Sequence, residues 1–299
     1  MLNKIVIFGV GLIGGSFALS LKKAGYVAQV VGVGRSNATL TRALQLGIID
    51  VASQSVKDAL NNADLVLIAA PVAQTESILH AIYPYLQPGT IITDAGSTKT
   101  DVVQTACRVL GEKIGQFVPG HPIAGRELNG PEAAIPDLYV GKKVVLTPLP
   151  NNSSAHVAMV AHAWEKCGAV IHHLTHDEHD RVFASVSHLP HLLAYALVDD
   201  IARKPHAALL FQYAASGFRD FTRIAGSSPE MWRDISLANQ EALLNELDAY
   251  VAQLVRMRAL LQESDGVALE MIFKNAQKAR LNWGQAIEAA ETQNKEGGD

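Results

Sequence analysis

The chain has 299 residues, of which 48% are hydrophobic and 18% are charged, so it can fill the cores of two domains. Its formal net charge is -4, and its basic residues are scattered along the sequence. This balance argues against the concentrated positive surface that binds nucleic acid or an anionic membrane.

Three further features concern the compartment in which the chain works. No apolar run approaches the roughly 20 residues that a transmembrane helix needs. The N-terminal "NKIVIFGVG" runs directly into a strand-like segment instead of a signal peptide. The two cysteines, Cys107 and Cys167, are far apart and lack the spacing of metal ligands, as is typical of a reducing environment. We therefore expect a soluble, cytoplasmic protein.

Strand-like and helix-like segments alternate over residues 1–175. The strand-like runs are short and apolar, and the segments between them have helical periodicity. The predicted strands are residues 4–9, 29–33, 65–70, 90–94, 143–147 and 170–175, and the predicted helices are 13–24, 37–46, 74–86, 99–110 and 154–167. This alternation predicts an α/β domain of the Rossmann type, with a doubly wound, mostly parallel sheet covered by helices on both faces.

The first predicted strand ends in a glycine-rich turn, "GVGLIG", at residues 9–14. It fits the G-x-G-x-x-G pattern, and its position between a strand and a helix makes it a dinucleotide-binding fingerprint. Gly9 allows the tight turn, Gly11 lets a pyrophosphate approach the backbone, and Gly14 lets the helix pack closely on the strand. The N–H groups at the start of the helix then favour the anion. The alternative is that the glycines only pack a helix on a sheet.

The end of the second strand bears on the choice of cofactor. NAD-binding folds usually place Asp or Glu there for the ribose 2′-hydroxyl, whereas this chain has "VGVGRSNAT", with Arg35 and Ser36. Because an arginine grips the 2′-phosphate that a carboxylate would repel, we favour NADP over NAD. The alternative is a solvated Arg35 stacked on the adenine. The expected cofactor contacts are Gly9, Gly11, Leu12, Ile13, Gly14, Arg35, Ser36, Ala70 and Pro71.

Two segments after the fourth predicted strand carry candidate catalytic groups. In "DAGSTKTDV", residues 94–102, Ser97 either bonds a substrate hydroxyl or caps the following helix. In "GHPIAGREL", residues 120–128, His121 stands between a glycine and a proline, so we expect a rigid loop. A lone histidine in such a loop is either a hydrogen-bonded structural residue or a functional group.

Residues 176–299 have apolar side chains at three- and four-residue spacing and almost no strand signal, which predicts an all-helical domain. In "SHLPHLL", residues 187–193, Ser187 and His191 share one helix face, and His188 precedes His191 by three residues. Pro190 predicts a kink. Because neither an H-E-x-x-H pattern nor a nearby cysteine accompanies the histidines, we expect no metal. The long apolar stripes favour burial against a second subunit.

The stretch "GFRDFTRIAGSSPEMW", residues 217–232, places Arg219 and Arg223 four residues apart among aromatic side chains. A guanidinium in this setting is a plausible clamp for a carboxylate, because its fork matches two oxygens. The alternative is a surface arginine paired with Asp220 or Glu230.

Taken in order and at this spacing, "GVGLIGGS", "DAGSTK", "GHPIAG", "SHLPH" and "GFRDFTRIAGSSPEMW" resemble the prephenate and arogenate dehydrogenases of tyrosine biosynthesis. The resemblance extends from the first strand to about Trp232. It implies a dinucleotide-binding domain over residues 1–175 and a helical domain over residues 176–299 that binds substrate and forms a homodimer. It also implies NAD(P)-dependent oxidative decarboxylation of prephenate, arogenate or both.

The resemblance also implies roles for individual residues. His121 and Ser97 match the catalytic groups, and the matching substrate-binding residues are Arg223, His191, Ser187 and Trp232. Arg126 departs from the family pattern, since many relatives have Thr, Ser or Ala there. An added cation at that position would bind a carboxylate or alter the side-chain end of the pocket, and it leaves the choice between prephenate and arogenate open.

Two other functions remain in view. A β-hydroxyacid dehydrogenase or imine reductase shares the two-domain plan but usually carries a catalytic lysine on an interdomain helix. Lys99 is the nearest candidate here, and we expect it in a loop. A non-catalytic NADP-sensing module would use the helical domain only for assembly; His121, Ser97 and Arg223 argue against it.

Overall fold

The computed structural model describes residues 1–126 and 128–296, with side chains up to residue 286. The strands are β1 (Leu2–Phe8), β2 (Val27–Val33), β3 (Val51–Ser53), β4 (Leu65–Ile68), β5 (Ile91–Asp94), β6 (Phe117–Val118), β7 (Gly120–Pro122), β8 (Lys143–Leu146) and β9 (Val170–His173). The helices among them are α1 (Leu12–Lys23), α2 (Asn37–Gln45), α3 (Val56–Leu60), α4 (Thr75–Ile82), α5 (Thr100–Leu110) and α6 (Ser154–Lys166). The predicted α/β fold is confirmed. The sequence analysis missed β3, β6, β7 and α3, which are too short to show a clear period.

Six strands form a parallel sheet in the order β3-β2-β1-β4-β5-β6. On the central strand β1, Ile5 lies opposite Val30 of β2 and Leu65 of β4, and all three side chains are fully buried. Such strands are apolar at nearly every position because helices cover both faces of the sheet. The chain order reverses between β1 and β4, so the carboxyl ends of these strands border the crevice where ligands bind in doubly wound sheets.

A second sheet of three strands has the order β7-β8-β9. Strand β7 runs antiparallel to β8, with His121 opposite Val145, whereas β8 and β9 are parallel. The expected rigid loop at residues 120–122 is therefore wrong in its conformation: this segment is a short strand. Pro122 is tolerated because β7 lies at the edge of its sheet, where a missing N–H interrupts no ladder.

From residue 176 onwards the described residues form helices and turns. The α-helices are α7 (His176–Phe183), α8 (Leu189–Ala202), α9 (Ala207–Gln212), α10 (Ser216–Thr222), α11 (Pro229–Ala238), α12 (Gln240–Gln262) and α13 (Gly266–Glu296). The predicted all-helical region is thus confirmed. The density of internal contacts divides the chain elsewhere, into Met1–Leu243 and Leu244–Asp299, so a domain boundary at residue 175 stays a prediction.

A widened helical turn precedes Pro190, the residue at which the sequence predicts a kink. Residues Ala184–His188 form one π-helical turn, in which the Leu189 N–H donates to the Ala184 carbonyl. This turn joins α7 to α8 and places Pro190 among the first residues of α8. The extra residue per turn redirects the side chains that follow.

The continuous helical segment His176–Ala202 is long enough to cross a membrane, with a mean hydropathy of 1.2 over its most apolar window. This length goes beyond the expectation from sequence that no run approaches a membrane span. The segment also carries His179 and Asp180, whose side chains are buried against the α/β part of the chain. Although only 28% of the apolar window is buried, we interpret the segment as a partly buried helix of the fold, because its buried carboxylate has protein partners.

Candidate active site

The glycine-rich turn joins β1 to α1 beside the crevice. Gly9 has a φ of +94°, and a Cβ added there would lie 2.6 Å from the backbone oxygen of Ala69. A Cβ on Gly14 would lie 2.3 Å from the backbone oxygen of Gly9. Both positions therefore accept only glycine, Gly9 because of its backbone conformation and both because of the neighbouring backbone.

The start of α1 is open, in contrast to these two crowded positions. Gly11 is the N-cap residue, no side chain caps the helix, and a Cβ on Gly11 would meet nothing within 4 Å. Leu12 and Ile13 begin the helix, and the Ile13 carbonyl accepts a hydrogen bond of 2.6 Å from the Tyr139 hydroxyl. Uncapped N–H groups next to open space, at the positive end of a helix dipole, fit the pyrophosphate of a dinucleotide.

The remaining cofactor candidates lie at the ends of β2 and β4. A Cβ on Gly9 would lie 2.9 Å from the Ala70 nitrogen, which places the end of β4 against the turn, and the exposed Pro71 follows directly. Ser36 caps α2, since its hydroxyl accepts a hydrogen bond of 3.2 Å from the Thr39 N–H. Arg35 is exposed, and its side chain makes no hydrogen bond or ion pair within residues 1–126 and 128–286.

A buried ion pair lies at the end of β5. Asp94 is 2% exposed and Lys99 is fully buried, and the ammonium of Lys99 bonds Asp94 Oδ2. Both side chains also hold Gly120: Asp94 Oδ1 accepts from the Gly120 N–H at 3.0 Å, and Lys99 Nζ donates to the Gly120 carbonyl at 2.9 Å. The residue before His121 is thus held on both sides of its backbone. Lys99 itself is the N-cap residue of α5, at the junction of loop and helix.

His121 belongs to a chain of three titratable side chains. Its Nδ1 lies 2.8 Å from His179 Nε2, and His179 Nδ1 lies 2.8 Å from Asp180 Oδ1. The Phe183 ring packs against both imidazoles, with centroid distances of 4.9 Å to His121 and 4.5 Å to His179. Sequence positions 121 and 179 meet because β7 and α7 lie side by side at this point.

The order of these contacts determines which ring nitrogens carry protons. Ionised Asp180 only accepts, so His179 donates from Nδ1 and, when neutral, has a lone pair at Nε2. His121 must then donate from Nδ1 to His179 Nε2. Its own Nε2 is left without a proton, so a neutral His121 presents a hydrogen-bond acceptor, and a potential base, on the side away from His179.

The surroundings keep both imidazoles neutral. Burial, together with His179, Lys99 and His188, holds the pKa of His121 well below its usual value. Burial also lowers the pKa of His179, against the opposing effect of Asp180. For Asp180, burial would raise the pKa, but hydrogen bonds from His179 and from the backbone of Lys99 and Thr100 outweigh it and lower the pKa. The carboxylate is therefore charged and the two rings are neutral near pH 7.

Asp180 also explains the start of α5. Its two carboxylate oxygens accept hydrogen bonds of 2.8 Å from the N–H groups of Lys99 and Thr100. The cap that Ser97 could have supplied is therefore supplied by Asp180 of α7, because α5 begins at Thr100 and its N-cap residue is Lys99, two residues after Ser97. Ser97 is partly exposed, and its backbone lies close enough to His188 to favour the protonated form of that ring.

The widened turn and α8 place a second group of side chains beside α11. The rings of His191 and Trp232 stack with centroids 3.5 Å apart, and His191 Nδ1 lies 2.9 Å from the carbonyl of Ser187. Buried His188 has its pKa lowered to about 4, chiefly by burial, and its Nδ1 accepts from the Asn239 amide at 3.1 Å. The Trp232 indole N–H is buried and makes no hydrogen bond to a described residue.

Two predicted residues lie on exposed parts of the chain. Arg223 begins the 3-10 turn Arg223–Gly226 between α10 and α11, and this turn is tied to α8 by a hydrogen bond of 2.8 Å from the Tyr195 hydroxyl to the Ser227 carbonyl. Arg126 follows β7 on an exposed stretch. The structure thus brings Ser97, His121, His188 and His191 towards one end of the sheet, whereas Arg126 makes no polar contact with them among the described residues.

Sequence reasoning missed the buried partners: His179, Asp180, Asn239 and the pairing of Asp94 with Lys99. A partial signal existed for the first two. Thr175 and Glu178 form a capping box, so the helix start is readable from the sequence, and His179 and Phe183 then fall four residues apart on one face. Nothing in the sequence shows that this face meets residue 121.

Comparisons with known proteins agree on one family. The family descriptions "Prephenate dehydrogenase, nucleotide-binding domain" and "Prephenate dehydrogenase, dimerization domain" match residues 17–173 and 175–275. The chain is 38% identical over 279 residues to cyclohexadienyl dehydrogenase of Zymomonas mobilis, covering 93% of this chain and 94% of that protein. It is 36% identical over 282 residues to prephenate dehydrogenase of Bacillus subtilis, covering 94% of this chain and 76% of that protein.

A solved structure is similar throughout its length. Prephenate dehydrogenase from Aquifex aeolicus, in complex with hydroxyphenyl propionate and NAD+, has a TM-score of 0.87 and 36% sequence identity, covering 94% of this chain and 98% of that chain. The similarity includes both the mixed α/β part and the helical part, so it is not limited to the widespread dinucleotide-binding fold.

Proposed function

Because the chain belongs to the prephenate dehydrogenase family, we propose that it oxidatively decarboxylates prephenate, arogenate or both, with His121 as the base. The products are 4-hydroxyphenylpyruvate from prephenate and tyrosine from arogenate. The chain is an NAD(P)-dependent oxidoreductase of this family. The finer assignments below concern the residues, the preferred dinucleotide and the assembly.

The orientation of His121 is the observation that carries this function. The chain from Asp180 through His179 leaves His121 Nε2 as an unprotonated acceptor. During the reaction the C4 hydroxyl of the substrate gives its proton to the base, the ring carboxylate leaves as CO₂ and the ring becomes aromatic. The resulting phenolate oxygen then takes a proton back and becomes the hydroxyl of the product. A positioned base that accepts such a proton contributes typically ~10²–10⁴ in rate. When bound, the nicotinamide supplies the acceptor for the hydride that leaves C4.

Other side chains at this end of the sheet are proposed to bind the substrate. Ser97 bonds the hydroxyl that His121 deprotonates, while Ser187, His191 and Trp232 contact the ring and its side chain. The buried, unbonded indole N–H of Trp232 supports this assignment, because a buried donor without a partner is costly unless a ligand satisfies it. Arg223 is proposed to hold a substrate carboxylate, and Arg126 to act at the side-chain end of the pocket.

The preferred dinucleotide is proposed to be NADP. β2 is followed by Gly34, Arg35 and Ser36, without the acidic residue that would bond the ribose 2′-hydroxyl. The exposed guanidinium of Arg35 is unengaged within the described structure and so can reach a 2′-phosphate. Gly9, Gly11 and Gly14, with Leu12, Ile13, Ala70 and Pro71, would hold the rest of the dinucleotide at the opening of α1.

The assembly is proposed to be a cytoplasmic homodimer. Residues 175–275 match the dimerization domain of the family. In the same region, large apolar side chains are exposed on several helices, including Phe211, Tyr213, Val255 and Met271. Large exposed apolar side chains in this number are typical of a subunit interface rather than of a monomer.

The test is a set of four assays with purified protein, in which prephenate and arogenate are each combined with NAD and NADP. Formation of the reduced nicotinamide is followed by absorbance, and the fastest combination identifies the substrate and the cofactor. Turnover in any combination rules out a non-catalytic sensing module. Absence of turnover in all four would refute the proposed reaction and leave a reductase of another substrate as the alternative.

A further inference from the structure

We propose that Lys99, together with Asp94, is a positioning residue that holds His121 in the orientation needed to present Nε2 to the substrate. The inference depends on the proposed function of His121. It assigns to the buried ion pair a role in setting the geometry of the base, in addition to joining β5 to β7.

The first support is that both Asp94 and Lys99 bond the backbone of Gly120, the residue before His121. Asp94 Oδ1 accepts from the Gly120 N–H at 3.0 Å, while Lys99 Nζ donates to the Gly120 carbonyl at 2.9 Å. Because these two groups belong to the peptide units on either side of Gly120, the pair restrains the backbone rotation that sets the direction of the His121 side chain. A Cβ on Gly120 would lie 3.2 Å from the Asp94 carbonyl, so there is little room for the strand to shift.

The second support is that Lys99 is also connected to the ring of His121, through Asp180 and His179. Its backbone N–H donates at 2.8 Å to Asp180 Oδ1, the same oxygen that lies 2.8 Å from His179 Nδ1. His179 in turn contacts His121 Nδ1. Lys99 is therefore connected to His121 twice: through its side chain to the preceding peptide, and through its backbone to the carboxylate that orients the ring.

The third support is electrostatic. The charged and titratable groups that face His121 are Lys99 from the start of α5, His179 from α7 and His188 from the widened turn, and each of them lowers the pKa of His121. Lys99 carries the ammonium group among them, and His179 and His188 are neutral near pH 7 because their own pKa values are also lowered. The Lys99 charge thus helps to keep the base neutral, while the pair as a whole keeps it in place.

The chain contains a similar pair far from this site, which provides a matched control. Lys22 bonds Asp50 Oδ1 at 2.6 Å and donates to the Gly47 carbonyl at 3.0 Å, and Asp50 Oδ2 accepts from the Val30 N–H at 2.7 Å. It therefore also combines an ion pair with a backbone donor and a backbone acceptor. It lies among α1, β2 and the loop after α2, away from His121.

The experiment compares two double variants, Asp94→Asn with Lys99→Met and Asp50→Asn with Lys22→Met. Both charges are removed together because a lone buried carboxylate would itself destabilise the fold. For the Asp94–Lys99 variant we expect kcat to fall by up to ~10²-fold, as is known for small displacements of catalytic groups. The KM for the dinucleotide should stay constant. We also expect the acid limb of the kcat profile to move to higher pH, because loss of the Lys99 charge raises the pKa of His121.

A second variant, Asp94→Asn with Lys99→Gln, separates geometry from charge. Its amide can donate to the Gly120 carbonyl, so kcat should recover in part while the acid limb stays displaced. The proposal is overturned if a folded Asp94–Lys99 variant keeps the kcat and pH profile of the original protein. The proposal is equally overturned if the Asp94–Lys99 variant loses no more kcat than the Asp50–Lys22 variant.

A spectroscopic measurement keeps the proposal testable even if the proposed reaction fails. Nitrogen-15 NMR of histidine-labelled protein reports the tautomer and the pKa of His121 without substrate, with His121→Asn used for assignment. We expect a single tautomer protonated at Nδ1 in the original protein, and a tautomer mixture with a raised pKa in the Lys99→Met double variant. An unchanged His121 signal would refute the positioning role, whatever the enzyme assays show.

Discussion

The glycine-rich turn offers backbone groups to a ligand, whereas the histidine cluster is made of side chains. The turn offers uncapped backbone N–H groups beside Gly11, where no side chain intrudes within 4 Å. The cluster around His121 is made of side chains, several of them fully buried, and each depends on the protonation of the next. The turn is therefore sensitive to steric bulk and insensitive to pH, whereas the cluster should respond strongly to the loss of one proton acceptor.

The largest expected effect comes from removing the base itself. His121→Asn should lower kcat by ~10²–10⁴-fold, since proton transfer to a positioned group is lost. The affinity for the dinucleotide should be retained, because the glycine turn is untouched. Steady-state kinetics and dinucleotide titration measure the two effects. His156→Asn, a histidine bonded to the Gly115 carbonyl outside the cluster, is the control and should keep its activity. Near-normal kcat in His121→Asn would refute the assignment.

A nearly equal loss of kcat is expected from Asp180→Asn. Asp180 does not contact His121 directly but acts on it through His179. Asp180 Oδ1 accepts from both His179 and the Lys99 N–H, and Oδ2 accepts from the Thr100 N–H, so either orientation of an amide at position 180 turns its NH₂ towards a backbone donor. The orientation that turns the NH₂ towards His179 would reverse the tautomers of His179 and His121 and leave a proton on His121 Nε2. Such a reversal can cost ~10²–10⁴-fold in kcat. The matched control is Asp64→Asn, which also accepts two backbone N–H groups, from Asn3 and Lys4. If Asp180→Asn retains more than half of the original kcat, Asp180 does not set the tautomer of His121.

The same chemistry fixes the direction of the pH dependence. His121 must be neutral to accept a proton, and burial with its cationic neighbour holds its pKa well below the usual value of 6.5. The kcat should therefore be constant above pH 6.5 and fall only at distinctly lower pH. A kcat profile between pH 4 and 9 on stable protein measures this, and an acid limb centred at or above 6.5 would count against a neutral, buried base.

An intermediate effect is expected at Arg223, which is exposed at the start of the turn after α10. Arg223→Gln should raise the KM for substrate by ~10–100-fold, because a charge-assisted hydrogen bond to a carboxylate is worth about 1.5–3 kcal/mol. It should lower kcat much less. Arg219→Gln, four residues earlier in α10, is the control and should have the smaller effect. If KM for substrate is unchanged in Arg223→Gln, the carboxylate is held elsewhere.

Two glycine variants probe the turn and should separate stability from binding. Gly14→Ala places a Cβ within 2.3 Å of the Gly9 carbonyl, so it should lower the free energy of unfolding by about 1–3 kcal/mol. Gly11→Ala meets no protein atom and should leave unfolding nearly unchanged, but it should raise the KM for the dinucleotide. Urea unfolding and kinetics distinguish them. Equal dinucleotide affinity in Gly11→Ala and the original protein would show that the pyrophosphate does not bind beside Gly11.

The smallest effect is expected at the end of β2. Arg35→Ala should weaken NADP by roughly tenfold, the value of one exposed charge-assisted contact, and leave NAD unaffected. Arg42→Ala, which removes a surface bond of 2.9 Å to Glu132, is the control and should alter neither. Equal losses for NAD and NADP in Arg35→Ala would refute a contact with the 2′-phosphate.

Much of the sheet domain was readable in advance, because its signals are local. The apolar runs of β1 and β4, the glycines at positions 9 and 14 and the helix starts follow from sterics and burial within a few residues. Pro190 predicted an irregularity in this helix, but not the π-helical turn that precedes it, since both a break and a widened turn accommodate proline. Short elements such as β7 were not predicted, because three residues are too few to show the alternation of buried and exposed side chains that marks a strand.

The amino-acid sequence by itself determined the order of strands and helices, the dinucleotide-binding turn and the presence of an unusual histidine in a constrained segment. Only the tertiary structure decided how that histidine works. The contacts of His121 with His179, of Lys99 with Gly120 and of Asp180 with the start of α5 join residues 21 to 81 positions apart. Neither propensity nor periodicity encodes such pairings, because they arise when separately folded elements pack together and a buried polar atom must find its partner there.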